Sequence, residues 1–120
     1  MTVRRMKTYT GGQGYVYQYY FVGQRPALTG DVGEAATEYI FDVTSDRKNT
    51  FSVSVFLSQH TVQQWAVRHG RSITDAEQYG AVKVRLFQAF DEIENMMSDG
   101  RHLLVTDEVL ETVLAILGVA

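Results

Sequence analysis

The stretch that most constrains this chain runs from Glu38 to Leu57, where two arms of alternating polar and apolar residues flank the polar turn Ser45-Asp46-Arg47-Lys48-Asn49. A period of two with a turn between the arms predicts a β-hairpin buried on one side. Tyr39, Phe41 and Val43 share a face with Val53, Val55 and Leu57, while Asp42, Thr44, Ser52 and Ser54 take the other. A one-residue slip would set apolar side chains opposite polar ones, so the hydrophobic pattern fixes which face is dry. With Asp46 opening a three-residue loop and Asn49 in the left-handed conformation, Asp46 pairs with Thr50. Phe41 then faces Val55, Asp42 faces Ser54, and Ile40 faces Phe56 as an apolar island on the wet side that needs a cover.

Around this ribbon the remaining elements follow from periodicity and punctuation. Tyr15 to Val22 is rich in aromatic and β-branched residues and reads as a first strand, with Tyr15, Tyr17, Tyr19 and Phe21 on one face and Val16, Gln18, Tyr20 and Val22 on the other. Gly23 to Ala36 contains Pro26, Gly30 and Gly33 and is expected to be a long loop. Ser58 can cap a helix over Gln59 to His69 that stops at Gly70. Thr74-Asp75-Ala76-Glu77 is a capping box opening a longer helix whose stripe of Tyr79, Val82, Leu86, Phe90, Ile93 and Met97 carries it to about Ser98. A short strand over Arg101 to Val105 and a helix from Asp107 to Leu117 complete the chain. The fold class expected is α+β: an antiparallel three- to four-stranded sheet with three helices packed mainly on one face. Residues 1–120 form one domain, with 1–13 flexible or loosely docked.

Composition narrows the chemistry. With no cysteine, a disulfide framework, a thiolate metal site and a cysteine nucleophile are all excluded. A formal charge of −3 argues against a dedicated duplex-binding protein, which needs a broad basic surface. The start of the chain carries Arg4, Arg5 and Lys7 but no apolar run behind them, so neither a secretory signal nor a membrane anchor is expected, and the cytoplasm is the default compartment.

No motif carries a reaction. Gly11-Gly12-Gln13-Gly14 lacks the preceding strand, following helix and Lys of a phosphate loop. His60, His69 and His102 lack metal-ligand spacing, and Asp91, Glu94 and Asn95, near one another on a helical face, are expected to be hydrated or ion-paired; no metal or cofactor is predicted. His69, beside Trp65 at a helix end, is favoured there when protonated.

Three functional readings follow. The first is a non-catalytic binding or regulatory module that self-associates, a dimer first, through the outer sheet face with Ile40, Phe56 and one side of the tyrosine strand, through an edge strand, or through the very apolar last helix. The second is single-stranded nucleic-acid binding by rings among Tyr15, Tyr17, Tyr19, Tyr20 and Phe21, with Arg68 and Arg71 or the N-terminal cations supplying charge. The third is a ligand-binding domain or enzyme with a pocket under the 23–36 loop, where Arg25, Asp42 and His69 would have to converge. A membrane partner is not expected.

Overall fold

The computed structural model describes residues 6–12, 14–31 and 33–119. Its elements run β1 (Lys7–Thr10), β2 (Val16–Thr29), β3 (Glu34–Thr44), β4 (Phe51–Ser58), α1 (Gln59–His69), α2 (Asp75–Glu92), α3 (Met96–Asp99), β5 (His102–Val105) and α4 (Asp107–Ile116). The chain is α+β: one five-stranded sheet in the order β1-β2-β3-β4-β5, with the long helices on one side. Neighbouring strands are antiparallel except β4 and β5, which are parallel. The expected sheet of three or four antiparallel strands therefore gains β1 as an edge strand, and the short strand expected over Arg101 to Val105 forms as β5 but runs parallel to β4. Parallel neighbours require a long crossover, and the helical segment from α1 to α3 supplies it. The helices number four, because the stripe read as one long helix breaks at Ile93. There the chain turns extended, and Asn95 starts the short α3 by accepting a hydrogen bond from the Ser98 amide on its side chain.

Within the segment 1–13, Lys7–Thr10 pairs with β2 from Lys7 opposite Tyr19 to Thr10 opposite Val16, while residues 1–5, Arg4 and Arg5 among them, and Gln13 lie outside the described residues. Asp91 of α2 fixes the turn between β1 and β2. It accepts hydrogen bonds from the Tyr9 hydroxyl at 2.8 Å and from the Gly12 amide at 3.1 Å. A Cβ on the buried Gly11 would stand 2.9 Å from Asp91 Oδ1, so this glycine admits the carboxylate.

The segment 23–36, expected as a loop, is mostly strand. β2 continues through a bulge between Phe21 and Gly23 and pairs with β3 to its end, with Arg25 opposite Glu38 and Thr29 opposite Glu34. Gly23 marks the bulge. Pro26 is tolerated because, among the described residues, β1 covers only Val16 to Tyr19 and no strand pairs with β2 on that side at Pro26, where its missing N–H is not needed.

The β3–β4 hairpin forms with the expected faces but a register displaced by two residues. Phe41 faces Val53, Ile40 faces Ser54 and Glu38 faces Phe56. The displacement comes from the turn. Asp46 Oδ1 accepts from the Lys48 and Asn49 amides at 2.8 Å each, Thr44 Oγ1 accepts from the Arg47 amide at 3.0 Å, and the left-handed residue is Arg47 (φ 64°), not Asn49. These bonds close a wider loop than a three-residue turn.

The dry face is the one expected. Phe41, Val43, Val53, Val55 and Leu57 are buried against Trp65, Val82, Leu86 and Phe90 in one continuous core, with Ile93 partly buried at its margin. Side chains of this size each contribute about 1.5–3 kcal/mol on burial. Ser58 caps α1 by accepting from the His60 and Thr61 amides, and Gly70 ends it at φ 68°. The Thr74–Glu77 capping box opens α2 as expected. α4 packs against α1 and α2 through Leu110, Val113 and Leu114, leaving Ile116 and Leu117 exposed. Among the described residues no helix is long and apolar enough to cross a membrane.

Candidate functional site: the outer face of the sheet

Three groups of polar or aromatic side chains stand apart in the fold. On the helix-facing side, the rings of the tyrosine strand are covered. Tyr17 stacks on Phe90 at 4.3 Å, Tyr19 meets Phe41 and Phe87, and Phe21 lies 4.9 Å from Tyr79. Tyr17 and Tyr19 are buried, and burial raises both phenol pKa values. These two rings are core, not an open stacking row. Tyr15, just ahead of β2, is exposed.

A second group closes the helical layer. Trp65 is fully buried, with the His69 ring stacked on it at 4.1 Å and the Arg71 guanidinium 5.3 Å from its ring centre. His69 Nε2 lies 2.9 Å from both oxygens of Glu111, which also accepts from Arg68 Nε at 2.9 Å. Arg71 forms a bidentate pair with Glu77 at 3.0 and 2.7 Å. These partners hold the Glu77 carboxyl down at about 2 and pull Glu111 below the usual range, with His69 the larger influence on Glu111. Arg68, His69 and Arg71 thus tie the end of α1 to α4 and to the head of α2.

The third group is the outer sheet face, on which no described helix packs. It presents Val16, Gln18, Tyr20 and Arg25 from β2, Glu38, Ile40 and Asp42 from β3, Ser52, Ser54 and Phe56 from β4, and His102 and Leu104 from β5. Residues two apart along a strand share a face, and cross-strand partners lie side by side on it, which is why these residues meet. Its charged groups are hydrogen-bonded within the face. Arg25 Nε donates to Glu38 Oε1 at 2.8 Å, the Ser54 hydroxyl donates to Glu38 Oε2 at 2.6 Å, and the Tyr20 hydroxyl donates to Asp42 at 2.6 Å. The rings of Phe56 and His102 lie stacked at 6.2 Å. Arg25 first, then Ser54, holds the Glu38 carboxyl below its usual range, against the opposing effect of burial. Apolar side chains complete the face: Leu104 is 55% and Val16 42% exposed, with Ile40 and Phe56 half-buried between them.

Ser54 beside Glu38 has the outline of a nucleophile and its base, but the chemistry runs the other way. A base needs a pKa near the working pH, and the Arg25 guanidinium moves Glu38 away from it. The network therefore neutralises charge on the face. Arg25 and Asp42 lie on this side while His69 lies in the helical layer bonded to Glu111, so the three groups do not converge in a cleft. The space expected under a 23–36 loop is occupied by the β2–β3 ladder itself. A hollow of about 560 Å³ opens between Glu34, His60, Thr61, Thr106, Asp107 and Glu108, none of which belongs to this network.

Of the residues singled out from sequence, Tyr20, Arg25, Ile40, Asp42 and Phe56 come together on the outer face. Glu38, Ser54, His102 and Leu104 complete it. Glu38 and Ser54 already had wet-side parity in the hairpin pattern; His102 and Leu104 required knowing that β5 lies beside β4. The chain matches no family model, no curated protein and no solved structure.

Proposed function

We propose that this chain is a non-catalytic protein-binding module whose outer sheet face joins a second copy of itself. The observation that carries this reading is the pairing of Arg25 with Glu38 and of Tyr20 with Asp42 within a face that also exposes Val16 and Leu104. A surface destined for water has no need to compensate its charges internally, whereas a surface that becomes buried does. In such a face Arg25 balances Glu38 and the single remaining carboxylate, Asp42, is capped by the Tyr20 hydroxyl, and its best complement is another half-apolar face with few free charges, which a two-fold axis provides from the same chain. A nucleic-acid backbone would need uncompensated cations instead.

Among the described residues β2 beyond Tyr19 has no strand on its β1 side, and this competing surface for self-association carries a bulge at Phe21/Gly23 and Pro26, both of which obstruct strand addition. The face has no such guard. β2, β3 and β4, spaced by about 4.8 Å and paired over about 25 Å, with the four-residue β1 and β5 at opposite corners, offer roughly 500 Å² per copy, so a face-to-face pair removes on the order of 1,000 Å², the lower bound for a specific interface. A reversible dimer is the expected result. Sedimentation equilibrium over a wide concentration range tests it: the wild type shifts from monomer to dimer, and Leu104→Lys stays monomeric with unchanged helix content. A wild type that remains monomeric at the highest concentration removes the reading.

A further inference from the structure

A different surface, at the margin between β1 and α2, holds two lysines with no counter-charge. Lys7 lies opposite Tyr19 in the β1–β2 register, two residues before Tyr9, whose ring stacks on Phe87 of α2 at 4.5 Å. Lys83 stands on α2 between Tyr79 and Phe87, which at four-residue spacing share its helix face. Its Nζ is 5.9 Å from the Tyr19 ring centre, 5.8 Å from Tyr79 and 5.9 Å from Phe87. The Lys83 ammonium thus lies over three rings with Lys7 as its charged neighbour.

All fourteen Asp and Glu side chains of the chain are among the described residues, and the ion pairs they form use Arg25, Arg68, His69 and Arg71. Neither Lys7 nor Lys83 has a carboxylate partner among the described residues. We infer that Lys7 and Lys83 form a binding site for a doubly charged oxyanion, a phosphomonoester group, with the partly exposed Phe21 and Tyr79 rings beside it as an apolar shelf for the body that carries the group. An ammonium pair suits a dianion because each lysine acts as a compact point charge with three donors, and together they match its charge. Burial first, and then the neighbouring Lys7, lower the Lys83 pKa, and an anion seated between them relieves the second of these costs.

The chain has only three lysines, and Lys48, exposed in the β3–β4 turn, serves as an internal control. The test is a titration of the full chain with inorganic phosphate at constant ionic strength, followed through the lysine side-chain NMR signals. Saturable shifts at Lys7 and Lys83 but not Lys48, with a rise in the Lys83 pKa on saturation, are expected. Lys83→Gln and Lys7→Gln should each weaken binding about tenfold, as the loss of one charge-assisted hydrogen bond implies, and Lys48→Gln should not. Shifts spread equally over all three lysines, no saturation at tens of millimolar, or full affinity in Lys83→Gln would overturn the site. The pKa readout is taken on the wild type, so it stands even if a variant folds poorly.

Discussion

The two faces of the sheet are built from the same strands yet do opposite things with their side chains. On the inner face Phe41, Val43, Val53 and Val55 have no exposure and no polar neighbour to satisfy, so the energetics are those of close packing. On the outer face, one residue along, Ile40, Asp42, Ser52 and Ser54 alternate apolar and polar character, and each charge finds its partner across a strand boundary. Alternation along the strand makes the faces independent, so a substitution should register in monomer stability on one side and in association on the other.

The largest expected effect is on the inner side. Phe41→Ala opens a cavity in the centre of the core and should cost about 3–5 kcal/mol in chemical denaturation, while Phe56→Ala, on the outer face of β4 and half-buried, should cost well under half as much. Equal losses would mean that the outer face is as tightly packed as the inner one. Next comes Gly11→Ala at the rim of the core. Its methyl group forces the Asp91 carboxylate away from Tyr9 and Gly12, for a loss of about 1–3 kcal/mol in the same assay.

Glu38→Gln probes the outer face directly. With Arg25 largely exposed, the pair is screened, and the monomer should lose about 1 kcal/mol or less. The dimer should suffer more, because Arg25 would then enter the interface uncompensated. A monomer loss that exceeds the association loss would move Glu38 from interface to scaffold.

The smallest effect is the acid response. Glu38, Glu77 and Glu111 all have folded-state values below their ordinary value of 4.5. Each therefore stabilises the fold fully above about pH 4.5, and that contribution fades as pH falls through the folded value, about 2 for Glu77. Melting temperature should decline between pH 4.5 and 2, and Glu77→Gln should flatten part of that slope.

What could be read from the amino-acid order divides along physical lines. The faces of the hairpin, the Ser58 and Thr74 caps and the Gly70 stop are set by nearest neighbours and by one short period, so sequence alone places them. The hairpin register was off by two because Asp46 and Thr44 close the turn with side-chain bonds that compete with the three-residue pattern. Gly23 and Pro26, ordinary loop signals, sit inside a strand because a bulge accommodates the first and, among the described residues, no strand pairs with β2 on its β1 side at the second. β1 was missed since Lys7-Thr8-Tyr9-Thr10 is short and becomes a strand only by pairing with β2. For the same reason the Arg25–Glu38–Ser54 network was only half visible. Parity assigns Glu38 and Ser54 to the wet side, but their meeting with Arg25 depends on β2 continuing past Gly23.

The central claim is that the outer face meets its own copy. Because the chain has no native cysteine, one introduced cysteine carries one spin label. Pulsed dipolar spectroscopy on Ser52→Cys, on the outer face, and on Gln63→Cys, exposed on α1, compares the two sides of the same molecule. Packed sheets stand about 10 Å apart, so the account predicts a short intermolecular distance for the Ser52 label and a much longer one for the Gln63 label. No dipolar coupling at Ser52, or the shorter distance at Gln63, would contradict it.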